Sequence, residues 1–440
     1  MPIIRSPIRI AVAGGNFGGL NAVKSLYLNL LATNPDYDGT EQAPPNPDVK
    51  ITLIDRKDGF VHYLGITRGL SQPEYSRKLW IPYRDMPWLQ HSSIEIKKRI
   101  ISRITSTHVE FADSSEHVEF DYLVVALGQS RNAPIGVAAS TRDEYLAAME
   151  KYQMSIRDAK SIVVVGGGAV GTELAADLKT DYPHKEITLV HSRELPVPGP
   201  FKDEFRKEVV RVLHMIGVNT MFGERVVDEK SSEQEDFSPH GSSKYTDVLP
   251  ELVDTVKRNA TLVTSSGYTV EADLVFNCLG IKSKAPLIDL PSSTDQSIFA
   301  SNGIRIRAET MQLDDPQYDH IFAVGDITNR NKVKLAGAAA NGGRTAGDSI
   351  SAIIRAERGG EQDTVTRHTA NMAMGGRKGG RGGSSIYGKI KLVLGDHHAV
   401  SQMGDEVLPT EQAMNYISPD IKLGKVIKSL AIGSFPTHGR

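Results

Sequence analysis

The sequence contains a single cysteine, Cys278, among its 440 residues. One thiol cannot form a disulfide within the chain, so a disulfide framework and an intramolecular redox-active dithiol pair are both excluded. The scarcity of cysteine suggests a reducing compartment. Cys278 lies in an apolar segment, where we expect a core thiol and not a redox centre.

Long hydrophobic runs and a strong charge of either sign are also absent. No window approaches ~18 consecutive apolar residues, so no transmembrane helix is predicted. The first strand begins too near the N-terminus to leave room for a secretory signal or a long transit peptide. The net charge of −2 gives no reason to expect nucleic-acid binding. We therefore expect a cytoplasmic protein without nucleic-acid partners, and its 440 residues suggest two or three domains.

The first of two glycine-rich loops reads GGNFGG and follows a buried strand predicted at 8–13. It opens a helix predicted over 18–32. In this setting the backbone can approach a dinucleotide pyrophosphate, which sits on N–H groups at the helix N-terminus. Asn16 stands where the middle glycine is usual; asparagine tolerates positive φ, so it could hold the turn with its amide turned aside or bonded locally. The residues predicted to bind the dinucleotide here are Gly14, Gly15, Asn16, Phe17, Gly18 and Gly19.

An acidic partner is expected at the end of the next strand, where it hydrogen-bonds ribose hydroxyls. Asp55 follows the strand predicted at 49–54. Its offset from Gly19 is 55 − 19 = 36 residues, against about 20 in the usual pattern. The polar loop 34–48 accounts for the excess. A unit that has lost its ligand is the alternative.

The second loop reads GGGAVG, with Gly166, Gly168 and Gly171 at the three small positions. It lies between a strand predicted at 161–165 and a helix predicted at 172–180. The next strand ends at His191, and 191 − 171 = 20 is the usual spacing.

Coenzyme choice at the second loop depends on His191 and Arg193. No carboxylate stands there to repel a 2′-phosphate, and Arg193 could attract one. The second loop is therefore predicted to accept NADPH as well as NADH. The alternative is that Arg193 is a solvated surface charge.

Further apolar strands are predicted at 122–126, 186–190, 274–278 and 321–324. The polar stretch 229–258 is interpreted as a surface insertion.

The order of these segments resembles the two-dinucleotide-binding-domain flavoproteins of the pyridine nucleotide:disulfide oxidoreductase superfamily. FDYLVVALG (Phe120–Gly128) and ADLVFNCLG (Ala272–Gly280) look like the segments that close the flavin and nicotinamide units. IFAVGDI (Ile321–Ile327) looks like the late flavin segment, whose aspartate, here Asp326, contacts the ribityl chain. The likeness also places Gly128 at the cofactor.

The resemblance implies an α/β fold with two Rossmann-like domains, the second inserted in the first. The FAD-binding domain would comprise 1–150 and 295–360, and the NAD(P)H-binding domain 151–294. A small C-terminal region, 361–440, would follow. The likeness extends over roughly residues 8–355.

Within the superfamily, the chain looks most like the apoptosis-inducing-factor-like branch that includes ferroptosis suppressor protein. IDRKDGFVHYLGITRG (Ile54–Gly69) and the glycine-rich MAMGGRKGGRGG (Met372–Gly383) carry this likeness. It implies that Arg68 contacts FAD and that Ile101 lies on the adenine side of the cofactor.

The chemistry implied by the resemblance is hydride transfer from NADH or NADPH to FAD. Glu173, two residues after Gly171, would lie near the nicotinamide; the alternative is a first-turn glutamate favoured by the helix dipole. Because a dithiol within the chain is excluded, the electron acceptor must be external: a quinone, oxygen or a protein. A redox-sensing or death-signalling flavoprotein with incidental turnover is a second hypothesis, and a binding module without FAD is a third.

The segment 421–430 is predicted to form a helix with apolar residues on one side and lysines on the other. It could pack its apolar side on the body of the protein. It could instead lie in a membrane surface as an interfacial anchor, which would place the protein at a lipid droplet or the outer mitochondrial surface. The oligomeric state cannot be derived from the sequence.

Overall fold

The computed structural model describes residues 6–32, 48–130, 134–136, 138–233, 256–279, 282–283, 287–292, 297–330, 333–359, 388–408, 410–415 and 420–430. Most of the predicted loop 34–48, the middle of the predicted insertion 229–258 and the glycine-rich stretch 372–383 lie outside these residues.

The secondary structure of the described residues is mixed, with both α-helices and β-strands. The strands are β1 (Ile8–Ala13), β2 (Val49–Asp55), β3 (Gly59–Val61), β4 (Trp80–Pro82), β5 (Ile94–Lys98), β6 (Ile101–Ile104), β7 (His108–Phe111), β8 (His117–Glu119), β9 (Tyr122–Val125), β10 (Gln129–Ser130), β11 (Ser161–Val165), β12 (Glu186–His191), β13 (Asn219–Phe222), β14 (Val226–Glu233), β15 (Val256–Thr264), β16 (Thr269–Asn277), β17 (Lys282–Ser283), β18 (Phe299–Ala300), β19 (Gly303–Ile304), β20 (Ile321–Ala323), β21 (Lys389–Leu394), β22 (His398–Met403) and β23 (Glu406–Leu408). The α-helices are α1 (Phe17–Leu26), α2 (Ile66–Ser71), α3 (Pro73–Ser76), α4 (Arg142–Asp158), α5 (Ala169–Asp181), α6 (Asp203–Ile216), α7 (Ala336–Gly359), α8 (Thr410–Met414) and α9 (Leu423–Leu430).

The first large sheet is parallel, with the strand order β20-β9-β1-β2-β5. Its central strand β1 is IRIAVA, and the last four side chains are buried, as expected for a strand covered on both faces. The late strand β20 returns to pair with β9, so the sheet combines early and late parts of the chain. The carboxyl ends of β1, β2, β9 and β20 therefore meet at one edge.

The second large sheet has the order β13-β12-β11-β16-β15-β14. Strands β13, β12, β11 and β16 are parallel, and β15 and β14 continue the sheet in antiparallel pairing. The parallel part begins with β11, α5 and β12, which is a second βαβ unit. The predicted α/β class is confirmed, and so are both predicted glycine loops between a strand and a helix.

Helices α1 and α7 pack closely beside the first sheet. A Cβ added to Gly343 of α7 would lie 2.0 Å from the Gly18 carbonyl oxygen, and one on Gly347 would lie 2.7 Å from the Ala22 carbonyl oxygen. Only glycine permits this approach. Through it α7 fixes the N-terminal turn of α1, which follows the first glycine loop.

The predicted insertion 229–258 is partly wrong at its ends. Residues 229–233 belong to β14 and 256–258 to β15, and the two strands pair along the edge of the second sheet. The polar sequence of β14 misled the prediction because an edge strand can be solvated on one face.

The C-terminal part contributes a three-stranded antiparallel sheet, β21-β22-β23, which packs on α5 and α6. Helix α9 buries Leu423 and Leu430 against the body and leaves Lys425 and Lys428 exposed. Trp88 donates from its indole nitrogen to the Leu430 carbonyl oxygen at 2.5 Å. The structure thus favours packing of 421–430 over the anchor. Within the described ranges no helix has both the length and the apolar character to span a membrane.

Candidate active site

A cavity of about 350 Å³ opens at the carboxyl edge of the first sheet and extends to the N-terminus of α5. This edge is where open α/β sheets bind ligands. The predicted site residues in its wall are Gly14, Gly15, Asn16, Phe17, Gly18, Asp55, Ile101, Gly128, Glu173 and Asp326. The structure therefore brings together residues that are more than 300 positions apart in the sequence.

The first glycine loop is held by close backbone contacts. Gly14 has a φ of +103°, and its N–H donates to the Ile54 carbonyl at 2.7 Å. A Cβ on Gly14 would meet the Ala126 carbonyl oxygen at 2.4 Å. A Cβ on Gly19 would meet the Gly14 carbonyl oxygen at 1.7 Å. These two positions are glycine because the protein itself leaves no room for a side chain.

Asn16 does not require a positive φ, contrary to the possibility raised from the sequence. Its φ is −108°, in the extended region. Its side-chain oxygen accepts from the Phe17 N–H at 2.9 Å, and its side-chain nitrogen donates to the Val61 carbonyl at 2.9 Å. The alternative of an amide bonded locally is confirmed, and Asn16 acts as the N-cap of α1.

Asp55 forms the polar centre of the first loop. Its Oδ2 accepts from the Gly15 N–H at 2.6 Å, while its Oδ1 lies 3.0 Å from the Lys57 Nζ. Burial alone would raise the pKa of Asp55, but Lys57 and the N–H groups of Lys57 and Gly15 outweigh it and lower that pKa. The carboxylate is therefore ionised and can accept hydrogen bonds from ribose hydroxyls.

The opposite wall comes from the ends of β9 and β20. Gly128 has a φ of +67°, and Gly325, before Asp326, has a φ of +78°. Both turns need a residue that tolerates the left-handed region. Ile101, at the start of β6, closes the wall on another side.

The glycines of the second loop lie outside the cavity lining, but the loop repeats the geometry of the first. Gly166 has a φ of +113°, and a Cβ on Gly171 would meet the Gly166 carbonyl oxygen at 2.0 Å. The N–H of Gly167 donates to the His191 Nδ1 at 3.1 Å. The next residues of α5, Ala169 and Val170, line the cavity. Helix α5 thus connects the second loop to the cavity that the first loop lines.

His191 is buried and neutral. Burial, and then the nearby Arg193, lower the pKa of its imidazole. Because Nδ1 accepts the Gly167 N–H, the proton of the neutral ring is on Nε2. Among the described residues Nε2 has no hydrogen-bond partner, although the atom is buried. It is a donor that suits an oxygen-rich ligand, and the exposed Arg193 beside it adds positive charge.

Glu173 lies in the cavity wall on the first turns of α5. Its Oε1 accepts from the Val393 N–H of β21 at 3.2 Å. Burial raises the pKa of Glu173 to about 8, against the Val393 hydrogen bond and with help from Asp177. At neutral pH this carboxyl group holds a proton inside the cavity.

Arg68 departs from the sequence expectation, because it is not among the residues of the cavity wall. It is 2% exposed and donates from a terminal nitrogen to the Gly395 carbonyl at 2.8 Å. The same guanidinium lies 3.6 Å from the Asp177 Oδ1 and 3.5 Å from the Asp396 Oδ1. The resemblance could not show these carboxylates, which draw Arg68 toward α5 and the β21–β22 turn.

Several cavity residues were missed by sequence reasoning. Thr67 lies on α2, Lys334 precedes α7, and Lys391 lies on β21. Tyr83, outside the wall, donates from its hydroxyl to the Gly15 carbonyl at 2.7 Å. No sequence spacing connects these residues to a glycine loop. Lys57 could have been predicted near the site from the sequence, because it stands two residues after Asp55.

The residues present fit two dinucleotides. The first loop combines close backbone, the N-terminus of α1 and an ionised carboxylate at the adjacent strand end, which suits the pyrophosphate and ribose of FAD. The second combines the same backbone with the unpartnered His191 Nε2, which suits NADH or NADPH. Within the described residues no cluster of His, Cys, Asp and Glu could hold a metal ion.

Comparison with known families gives one match over most of the chain. The family model described as pyridine nucleotide-disulphide oxidoreductase matches residues 8–343. This range includes both glycine loops, Asp55, Glu173 and Asp326.

Curated relatives match most of the chain at low identity. The oxidoreductase OXR1 of Ajellomyces capsulatus is 29% identical over 375 residues, which cover 80% of this chain and 75% of the relative. The apoptosis-inducing factor homolog B of Dictyostelium discoideum is 26% identical and covers 82% of this chain and 84% of its own. The ferroptosis suppressor protein 1 of Xenopus tropicalis is 26% identical, with 76% and 77% covered.

Solved structures share the fold. The NAD-dependent persulfide reductase of A. fulgidus superposes with a TM-score of 0.60 at 18% identity, over 93% of this chain and 65% of the reductase. The water-forming NADH oxidase of Lactobacillus brevis gives a TM-score of 0.55 at 19% identity, over 77% and 68%. These similarities establish the architecture alone.

Proposed function

The chain belongs to the pyridine nucleotide-disulphide oxidoreductase family, and we propose that it passes a hydride from NAD(P)H to FAD and then electrons to an external acceptor, a quinone in the first instance. It is an NAD(P)H-dependent flavoprotein oxidoreductase, and FAD and NAD(P)H are its cofactors. We also propose the domain assignment made from the sequence: 1–150 and 295–360 for FAD, 151–294 for NAD(P)H.

The observation that carries the proposal is the single cavity that joins the two units. Its wall runs from the first glycine loop and Asp55 to Glu173 on the helix that follows the second loop. Bound FAD would supply an acceptor for the hydride and a donor of electrons to the second substrate. The cavity is where both substrates could reach it.

The chain's own residues bind, orient and hold a proton. The Gly14–Gly19 backbone and the N-terminus of α1 favour the pyrophosphate, and Asp55 favours the ribose hydroxyls. Glu173 keeps a proton at the cavity wall, in a position fixed by the Val393 N–H. Because Glu173 is protonated, it also places no negative charge beside negative charge that develops during the reaction.

The acceptor is proposed to be external because the chain has one cysteine, Cys278. Burial raises the pKa of that thiol to about 12, so it is protonated at neutral pH. A thiol in this form is a poor nucleophile. Electrons therefore leave the protein on a second substrate.

A quinone is favoured by the apolar residues of the cavity wall that also reach solvent. Leu64 is 45% exposed and Leu335 is 37% exposed. Exposed leucines beside a cavity suit a planar, apolar ring better than a hydrophilic acceptor.

The test is an absorption spectrum of the purified protein followed by anaerobic titration with NADPH and NADH. We expect a flavin band that bleaches with either coenzyme and returns rapidly on addition of a soluble quinone. Slow reoxidation by quinones, oxygen and protein acceptors alike would contradict the proposal that the protein is an oxidoreductase with an external acceptor. A missing flavin band, even after FAD is added, would overturn the cofactor assignment.

A second candidate, a redox sensor, is favoured by one feature of the cavity. Ile390, Lys391 and Leu392 of β21 form part of its wall, so the C-terminal sheet touches the region where the cofactors would meet. Reduction could change that contact and with it the binding of a partner. Proteolysis of the C-terminal region that differs between oxidised and NADPH-reduced protein, together with slow reoxidation, would support this candidate.

A further inference from the structure

The proposed reaction consumes a proton that the hydride does not supply. Reduction of a quinone follows NAD(P)H + H⁺ + Q → NAD(P)⁺ + QH₂, and reduction of oxygen to hydrogen peroxide also takes up one proton. That proton must come from solvent and reach a buried cavity. The inference below rests on the proposed function.

Helix α5 carries a carboxyl group at every fourth residue from the cavity toward its C-terminal end: Glu173, Asp177 and Asp181. Residues four apart lie on one face of a helix, about 6 Å apart between their Cβ atoms. Glu173 is in the cavity wall, Asp177 is 2% exposed and Asp181 is half-buried. The row therefore leads out of the cavity along one helix face.

Asp177 is connected to the cavity by a second route. The side chain of Thr67, on α2, interacts with the Asp177 carboxyl group and lowers its pKa. Thr67 is buried and lies in the cavity wall. Asp177 thus borders the cavity through both Glu173 and Thr67.

The outer end of the row reaches solvent through Gln72. The side-chain nitrogen of Gln72 donates to the Asp181 Oδ1 at 3.1 Å and lies 3.2 Å from the Asp396 Oδ2. The side chain of Asp396 is 39% exposed. Asp181 and Asp396 therefore share the side chain of Gln72 as a partner at the outer end of the row.

Arg68 joins the buried middle of this path to its exposed outer end. Its guanidinium lies 3.6 Å from the Asp177 Oδ1 and 3.5 Å from the Asp396 Oδ1. One cation thus faces a buried and an exposed carboxyl group at the same time.

The charges around Asp177 keep it close to its point of titration. Burial raises the pKa of Asp177 to about 7, while Arg68 and Thr67 lower it and Asp181 and Asp396 raise it again. Tyr75 of α3 also faces this group. With the pKa of Glu173 at about 8, both carboxyl groups can gain and lose a proton near neutral pH.

We propose that Asp177 is a proton-relay residue, which passes protons from the Asp181 and Asp396 surface to Glu173 in the cavity. In each turnover the O–H bond of Glu173 breaks as an O–H bond forms on the reduced acceptor. Glu173 regains a proton from Asp177, and Asp177 regains one from solvent through Asp181 or Asp396. No electron moves through the relay.

The test compares Asp177→Asn with the wild type in the two halves of the reaction. Asparagine keeps the shape of the side chain but cannot carry the proton. We expect flavin reduction by NADPH to stay within about twofold, because that step needs no solvent proton. Reoxidation of the dithionite-reduced protein by a soluble quinone should slow at least about tenfold. Asp177→Glu should restore most of the rate, and Asp289→Asn, an exposed carboxylate paired with Arg103, is the matched control.

Two further readouts separate a relay from a structural tie. The wild-type reoxidation rate should show a solvent deuterium isotope effect and a fall above about pH 8, and Asp177→Asn should lose that pH profile. In the infrared spectrum of the purified protein, the band of a protonated carboxyl group should weaken in Asp177→Asn below about pH 7. If Asp177→Asn does not fold, the double variant Asp181→Asn, Asp396→Asn carries the test, with slower reoxidation at unchanged reduction expected.

The outcomes distinguish the relay from the function on which it rests. Fast wild-type reoxidation with an equal rate and pH profile in Asp177→Asn would overturn the relay and leave the oxidoreductase intact. If no acceptor reoxidises the wild-type protein, both proposals are wrong. If reduction and reoxidation slow together and Asp177→Glu does not rescue either, Asp177 has a structural role only.

Discussion

The two glycine loops have the same backbone and different side chains. The first residue of each loop, Gly14 or Gly166, has a φ of +103° or +113°. Its N–H donates to a carbonyl oxygen of the neighbouring strand, that of Ile54 at 2.7 Å or that of Val190 at 2.8 Å. The second residue donates to Asp55 in one loop and to His191 in the other, at 2.6 Å and 3.1 Å. The dinucleotide scaffold is therefore independent of the side chain that accepts its N–H.

What differs is the chemistry offered to the ligand. Asp55 is an ionised acceptor, whereas His191 is a neutral ring with a buried N–H. Two residues after the last glycine, Asn21 donates to the Phe17 carbonyl of its own helix, while Glu173 faces the cavity. The first loop thus offers a charged acceptor to a ligand, and the second opens a helix that we propose takes part in the chemistry.

The largest expected effect comes from the last glycine of each loop. A Cβ on Gly19 or Gly171 would stand 1.7 Å or 2.0 Å from a carbonyl oxygen. Gly19→Ala should yield protein without a flavin band. Gly171→Ala should keep FAD but slow its reduction by NADPH about 100-fold, equivalent to ~3 kcal/mol of strain.

Absorption spectra and stopped-flow reduction check both variants, and each serves as the other's control. Gly337→Ala, whose Cβ would meet nothing within 4 Å, should change neither. If Gly171→Ala also lost FAD, the two loops would not be separate sites.

The shared scaffold was within reach of the sequence because it is local. Both βαβ units follow from an apolar strand, a glycine loop and a helix in direct succession, and β1 and β11 have the predicted bounds. Asp55 could be placed despite the long loop before it, since it ends a strand that pairs with β1. Where the chain continues without interruption, pattern and structure agree.

The rest depends on contacts between distant segments, which a single sequence does not show. Arg68 was assigned by resemblance, but the β21–β22 turn brings Asp396 to it. The polar bond that fixes Glu173 comes from Val393, 220 residues away. The carboxyl row on α5 had a sequence signal in its four-residue spacing, but Thr67 and Gln72, which connect it to the cavity and to solvent, come from other elements and had none.

The second prediction tests whether α5 carries a buried acid that α1 lacks. The pKa of Glu173 is raised from 4.5 to about 8, so the folded protein keeps a proton that the unfolded chain releases above about pH 4.5. Stability should therefore fall as pH rises from about 4.5 through about 8. Glu173→Gln removes the share of this dependence that belongs to Glu173 and leaves the share of Asp177, whose pKa is raised to about 7.

Urea unfolding of both proteins, with FAD in equal excess, measures the effect. We expect Glu173→Gln to be more stable than the wild type at about pH 9 by a few kcal/mol, at ~1.4 kcal/mol per pKa unit, and equal to it at about pH 4.5. Glu150→Gln, which changes an exposed glutamate of α4 in the same way, should not reproduce the pattern. A difference that is constant across this range would mean that Glu173 is ionised throughout.

The third prediction converts the second loop to the chemistry of the first. His191→Asp places a carboxylate where Asp55 stands in the other unit, and a carboxylate accepts ribose hydroxyls but repels a 2′-phosphate. We expect the ratio of kcat/KM for NADPH to that for NADH to fall about tenfold or more. Steady-state rates with both coenzymes give the ratio.

The control for that change is His191→Asn, which is neutral and should leave the ratio within about threefold. The wild type should reduce its flavin with NADPH at least as readily as with NADH. A strong wild-type preference for NADH would contradict the role given to His191 and Arg193.

The smallest effect is expected at the third position of the loops, where Asn16 stands in the first and Gly168 in the second. Asn16 and Gly168 have φ values of −108° and −73°, which any residue adopts, and a Cβ on Gly168 would meet nothing within 4 Å. Both amide atoms of Asn16 are committed, to the Phe17 N–H and the Val61 carbonyl. Asn16→Gly should therefore change FAD affinity by less than about threefold and lower the free energy of unfolding by at most ~1 kcal/mol, the size of a lost N-cap.

The mirror variant Gly168→Asn makes the comparison complete. The protein leaves space for a side chain at Gly168. A rise in the KM for NADPH in this variant would therefore come from a clash between the new side chain and the bound pyrophosphate. Flavin fluorescence titration gives the FAD affinity, and chemical unfolding gives the stability. Loss of FAD in Asn16→Gly would mean that the asparagine binds the cofactor directly. Retention of FAD would mean that the middle position of such a loop is glycine because of the ligand and not because of the fold. An asparagine can then replace the glycine when its amide is hydrogen-bonded to the protein backbone, as that of Asn16 is.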